Sequence, residues 1–411
     1  MALAAVVLTS FNLRSSTASV GPVLRDLQAS LEMSDSLAGL LVALPPICFG
    51  AVGLLSGRLS QRFDAERLLL ASSVLLFVGL VVRVLTGSLA VFMFASLGSI
   101  AGISVINIML PAVIRRWFPD RVAMLSGAYS MILTYGAFFG AALTVPIGQL
   151  LGGWRGGLGA WALPAMFGPV VVILARRGRR TSVTSSSDDV TGLGSAARTQ
   201  YGLFRNARAW ALAMLLGIQG FEAFSILGWF AAIFRDDGIS AARAGWLLSV
   251  TMLVSAPLSM LLPRLTERRP DQRMLITGLI GASGLGYVLM LLSPARFGLP
   301  AMLLLGVGMT TFSLALVLIG LRASTSQGTA ALASMVQGAG FLFAGSGPLL
   351  FGWMFERTGS WQLPLWSLLI LLLPKLYAGA VIGRPGLIVG SPDDDAPSDG
   401  RTVPAIPRPA P

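Results

Sequence analysis

The string GRLSQR, Gly57 to Arg62, recurs 206 residues later as PRLTER, Pro263 to Arg268. Arg58 falls on Arg264, Leu59 on Leu265 and Arg62 on Arg268, while Ser60 meets Thr266 and Gln61 meets Glu267. The same shift brings Gly39 onto Gly245. Apolar segments match one another by chance, because few residue types fill them. A polar string repeated in the equivalent connector is a different matter. It implies two halves built on one plan.

The composition says what the halves are made of. Of 411 residues 55% are hydrophobic and 12% charged, against about 25% charged in soluble chains. Apolar runs of about 20 residues, each long enough to cross a hydrocarbon core, recur throughout. Twelve spans are expected, at about 2–27, 35–57, 66–86, 89–114, 121–147, 157–175, 209–234, 241–263, 273–292, 297–320, 326–354 and 361–382. The fold class is therefore all-α and polytopic, with twelve transmembrane helices in two six-helix pseudo-symmetric halves. The halves are expected at 1–175 and 209–384, joined by a cytoplasmic linker at 176–208 and followed by a disordered cytoplasmic tail at 385–411. The linker and tail are too rich in Ser, Thr, Arg, Gly and Pro to make a core. No short apolar region with a cleavage site precedes the first span, so no removable signal peptide is expected. Connectors after even-numbered spans carry 18 arginines and the others 7. That bias puts both termini in the cytoplasm; the expected location is the inner membrane of a bacterium.

Several chemistries are excluded. There is no histidine and a single cysteine, Cys48, which removes a Ser-His-Asp triad, a histidine metal site and an intrachain disulfide. The only lysine, Lys375, is followed by Leu376, so there is no Walker A loop. No catalytic residue, metal or cofactor is expected. The net charge of +12 reflects connector arginines and not nucleic-acid binding.

Sorting charges by depth leaves Arg14 and Glu222 in span interiors, with Lys375 near a span end where it can snorkel. A central charge costs about 2.5–3.5 kcal/mol on insertion scales, so each needs a partner, a cavity or a use. Arg14 lies thirteen residues from Met1 and Glu222 thirteen from Ala209, where the equivalent span begins, each roughly 20 Å from the cytoplasmic end. They are expected to face each other, or to share a substrate. Span 1 is polar on two stripes and is broken by Gly21-Pro22. Gln219 and Glu222, three apart, share a helix face. Asn12, Asn107, Tyr129 and Gln337 are further polar candidates at depth, each also able to serve as interhelical glue.

A six-plus-six parallel repeat is the plan of the major facilitators, whose substrate site lies near the midplane between halves. The string from Gly57 through Arg58 and Arg62 to Arg67 resembles their cytoplasmic signature, Gly-x4-Asp-Arg-x-Gly-Arg. It departs from it at Gln61, in place of the aspartate, and at Asp64, in place of the second glycine. FNLRSSTASVGPVL at 11–24, INIMLPAVIRRWFPD at 106–120, GIQGFEAFSILGWFAAIFRDDGIS at 217–240, LALVLIGLRA at 314–323 and MVQGAGFLFAGSGPLLFG at 335–352 resemble a narrower group. That group is the cyanate permease and 2-nitroimidazole transporter branch, with Glu222 a departure where an uncharged residue is the family's pattern.

The resemblance implies secondary transport of a small molecule. The expected ligands are Arg14, Asn12, Asn107, Tyr129, Gln219 and Gln337 for substrate and Glu222 for the proton, with Gly57, Arg58, Arg62 and Arg67 forming a cytoplasmic gating loop. A guanidinium offers a flat fork of donors to a carboxylate or cyanate. The expected cargo is a small polar or anionic molecule moved with protons by a monomer in a lipid bilayer. Two alternatives stay open: proton-coupled export of nitroimidazole-like drugs, and a membrane sensor or scaffold that transports nothing.

Overall fold

A computed structural model describes residues 2–62, 65–117, 122–177, 202–267 and 271–389. Among them every named element is helical. In chain order these are α1 (Ala2–Ala18), α2 (Leu24–Leu31), α3 (Asp35–Arg62), α4 (Ala65–Leu85), α5 (Leu89–Trp117), α6 (Val122–Leu150), α7 (Trp154–Gly159) and α8 (Ala162–Arg177). There follow α9 (Ala207–Asp236), α10 (Ala241–Glu267), α11 (Arg273–Leu292), α12 (Pro294–Met309), α13 (Thr311–Leu321), α14 (Ser326–Thr358) and α15 (Gln362–Ile382). Among the described residues ten helical stretches are long and apolar enough to cross a membrane, α12 and α13 counting as one of them. The shorter α1 and α8, 17 and 16 residues, complete two sets of six.

Local chemistry explains where the helices break. Gly21-Pro22 ends α1 and forms a 3-10 turn over Gly21–Val23 before α2 restarts the helix. Span 6 is split at Ala160-Trp161 and span 10 at Thr310, two breaks that the apolar pattern does not announce. At the first, Asn12 Nδ2 donates to the Trp161 carbonyl at 2.6 Å, while Trp161 Nε1 donates to Thr144 Oγ1 at 2.8 Å. Asn12 thus ties α1 to the broken span. At the start of α9, Asn206 accepts from the backbone N–H of Arg208 and Ala209, satisfying two orphan donors as an N-cap.

The repeated polar string is helical where the sequence suggested a connector. α3 runs through Arg62 and α10 through Glu267, so GRLSQR and PRLTE, Pro263 to Glu267, form the closing turns of equivalent helices; Arg268 lies outside the described residues. The first residues of the expected tail also hold structure. Ile388 N donates to Arg322 O at 2.8 Å, Ser324 N donates to Val389 O at 3.1 Å, and Ala323 bridges Val389 in parallel. Most of the expected linker, 178–201, and the tail from 390 lie outside the described residues.

The halves meet through α3 against α14 and α6 against α10. Gly39 and Gly245, which match in the repeat, occupy equivalent places in these two contacts. A Cβ on Gly39 would stand 2.6 Å from Pro348 O, and one on Gly245 would stand 2.6 Å from Ala141 O. Both lie toward the end of the bundle opposite the chain termini. Only a residue without a side chain lets the backbones approach so closely.

Candidate substrate and coupling site

Lys375 is the centre of the most buried polar cluster. It is 0% exposed, and its Nζ donates to Glu222 Oε2 at 2.6 Å and to Gln219 Oε1 at 2.8 Å. Glu222 is 1% exposed. Its ion-pair partner is therefore Lys375 on α15, which corrects two expectations: Lys375 does not snorkel, and the carboxylate does not rely on Arg14.

Helix geometry gives the reason. Side chains lean toward the N-terminus of their own helix. α9 and α15 pack together with opposite chain directions, so Glu222 leans toward one end of the bundle and Lys375 toward the other, and they meet between. Gln219 and Glu222, three residues apart on α9, present their oxygens to one ammonium. Tyr287 of α11, fully buried, lies within electrostatic reach of the same carboxylate. Glu222 Oε1 and the Tyr287 hydroxyl lack a hydrogen-bond partner of normal geometry.

The other candidates are spread along the bundle. Arg14 is half-buried on α1 and engaged with its surroundings, as is half-buried Asn107 on α5. Asn12 is buried, with Nδ2 committed to Trp161 and Oδ1 lacking a partner. Gln337 is half-buried on α14. The side chains of Tyr129, Gly57, Arg58 and Arg62 lie outside the described residues, and Arg67 is exposed in the first turn of α4.

Besides Lys375, sequence reasoning passed over Arg83. Counted among the connector arginines, it is 2% exposed inside the bundle. It stands near the C-terminal end of α4, so its side chain leans back among the helices. The signal was present in its position: a long basic side chain near a helix C-terminus points inward.

Comparison with known proteins places these features. The family profile described as Major Facilitator Superfamily matches residues 4–345. An uncharacterized transporter, YycB of Bacillus subtilis (strain 168), is 32% identical over 94% of this chain and 94% of its own. The 2-nitroimidazole transporter of Escherichia coli (strain K12) is 31% identical over 93% of this chain and 95% of its own. The cyanate transport protein CynX of the same organism is 29% identical over 87% and 91%. Among solved structures, a D-xylose–proton symporter superposes with a TM-score of 0.72 at 17% identity, covering 92% of this chain and 96% of that one.

Proposed function

The chain belongs to the Major Facilitator Superfamily, and from that premise we propose that it moves a small polar or anionic molecule together with a proton by alternating access. It is a multi-pass membrane transporter and not an enzyme. The observation that supports the finer reading is the Lys375–Glu222 pair, fully withdrawn from solvent. Burying two charges costs several kcal/mol per ion, only partly offset by their attraction. Ionisable groups held inside a membrane bundle at that cost are first candidates for ion or proton pathways.

The pair is neutral as it stands. Protonating Glu222 removes the negative charge and leaves Lys375 bonded to Gln219, so the interior gains one positive charge. An anion between the halves offsets that charge. Proton and anion then favour each other's binding through charge alone, and they cross together with no net charge. This matters because one charge moved across 100 mV is worth about 2.3 kcal/mol. In this proposal Arg14, Asn12, Asn107, Tyr129 and Gln337 line the route of the substrate, and Gly57, Arg58, Arg62 and Arg67 gate its cytoplasmic end. The arginine bias orients a monomer in a bacterial inner membrane with both termini in the cytoplasm.

Uptake into proteoliposomes under an imposed pH gradient tests it. Wild-type uptake of a small anion should quicken when the source side is acid, and Glu222→Gln should be slower and indifferent to pH. Full pH dependence in Glu222→Gln sinks the coupling role. Movement of a neutral heteroaromatic molecule is a second reading, favoured by the 31% identity to the 2-nitroimidazole transporter. The same vesicles supplied with 2-nitroimidazole decide between the two cargoes.

A further inference from the structure

We propose that Arg83 is the anion-binding residue of a cavity between the two halves, and that its ligand is a small monoanion with an apolar body. The inference rests on the transporter reading and names the substrate class. The cavity is small in this form, about 30 Å³, so a ligand larger than a few atoms enters as the halves part, and both halves line it. Ser16 and Thr17 of α1, Pro45 of α3, Arg83 of α4, Ile100 of α5 and Phe224 of α9 form part of its wall.

Arg83 is conspicuous for what it lacks. Its Nε and Nη2 are buried with no hydrogen-bond partner, and no carboxylate pairs with it among the described residues. A guanidinium keeps its charge at physiological pH, and a buried charge without a counter-ion is costly. Among the described residues of the N-terminal half, the carboxylate-bearing Asp26, Glu32, Asp35 and Glu66 all stand at helix ends, and Asp64 and Asp120 lie outside the described residues. The nearest interior carboxylate in the sequence of α9, Glu222, is committed to Lys375. A ligand must therefore supply the negative charge.

The walls narrow the choice. Ser16 Oγ donates to Asn12 O at 2.7 Å and Thr17 Oγ1 to Leu13 O at 3.0 Å, so both hydroxyl protons are already used. The guanidinium is left as the only side-chain donor in the lining. One cation balances one charge, and apolar walls cannot stabilise a second, which disfavours sulfate or a phosphate dianion. The planar fork suits a carboxylate held by two parallel bonds. Phe224, Pro45 and Ile100 offer apolar contact to the remainder of the molecule. Phe224 lies two residues from Glu222, which places the anion beside the helix that carries the coupling carboxylate.

The test uses the purified full chain and three probes: benzoate, benzamide of the same shape without the charge, and sulfate. Ligand that binds the folded state raises its melting temperature. Benzoate should stabilise the wild type, and benzamide and sulfate should not. An equal response to benzamide, or none to benzoate, overturns the proposal without any variant. Arg83→Gln should weaken benzoate binding at least tenfold, with Arg83→Lys intermediate, and unchanged affinity in Arg83→Gln overturns it. Without ligand, Arg83→Gln should melt at or above the wild-type temperature, because it removes an unpaired buried charge. Flux separates this idea from the transporter reading. Benzoate carried by Arg83→Gln at the wild-type rate overturns the site and leaves transport standing. Arg83-dependent binding with no flux in wild type supports the site and sinks transport.

Discussion

Lys375 and Arg83 share one physical history. Each is a long basic residue near the C-terminal end of its helix, and each side chain is carried back into the bundle by the lean of the Cα–Cβ bond. Depth counted along the sequence treats such residues as able to reach the interface, whereas direction along the helix says that they cannot. The depth of Glu222, its cost and its shared face with Gln219 were legible in span 7. Its partner was not, because the choice between Arg14 and Lys375 depends on which helix packs against α9, and no periodicity in α15 encodes that. The pair makes a measurable claim about stability. Lys375→Met strands the carboxylate and should lower unfolding free energy by about 3–5 kcal/mol, the usual cost of breaking a buried pair from one side. Adding Glu222→Gln should recover most of that loss, since neither charge then remains. Denaturation in mild detergent reads both variants, and a double variant no more stable than the single would show that the two groups are not coupled.

At the scale of elements, the repeat was legible because polar strings and glycines survive in apolar helices only where something requires them. Gly39 and Gly245 require it in the same way: each lets its helix lie directly on a backbone carbonyl of the other half. The breaks at Trp161 and Thr310 were not legible, because the glycines beside them, Gly159 and Gly308, look like the many glycines that continue as helix elsewhere in these apolar spans. The extension of α3 through Arg62 was hidden for a related reason, since a polar closing turn reads like a connector. The glycine contacts predict matched effects. Gly39→Val and Gly245→Val should each wedge the halves apart at the end opposite the termini. Overpacking costs about 1–3 kcal/mol, enough to shift a two-state equilibrium about fivefold to a hundredfold. With Cys48→Ala as background, a thiol at Val20→Cys reports the opening through its alkylation rate, since Val20 lines the cavity and is 9% exposed. Both wedges should accelerate alkylation to a similar degree. Acceleration by one alone would show that the repeat is not mechanically equivalent in the two halves.

The whole molecule is held at that same end by an exchange of charges between halves. The dipeptide Arg25-Asp26 on α2 faces Arg235-Asp236 at the close of α9, and partners are swapped: Arg25 bonds Asp236, while Arg235 bonds Asp26 through two contacts of 2.7 and 3.1 Å. Ser36 adds a bond to Glu356, and Trp361 Nε1 donates to Asp236 at 2.9 Å. Arg25 also sits over the rings of Phe355 and Trp361. These pairs are partly exposed, so each contributes about 0.2–1 kcal/mol. That is weak enough to release in every cycle and, summed, strong enough to favour the clasped form. Arg235 and Asp26 provide the cleanest test, because Arg235 makes no other ion pair among the described residues. Asp26→Arg sets two guanidinium groups against each other and should shift the equilibrium toward the open form by about 1–2 kcal/mol, roughly tenfold. The exchanged pair Asp26→Arg with Arg235→Asp should close it again. Spin labels at the exposed positions Ala29 and Gln362, in a Cys48→Ala background, span the two halves at this end and report the distance. One molar salt, with a Debye length of about 3 Å, should imitate part of the single reversal in the otherwise native chain. If neither salt nor Asp26→Arg changes the distance distribution, the swapped charges do not hold the halves, and the glycine contacts with the Ser36–Glu356 bond and the Arg25 ring contacts must keep this end closed.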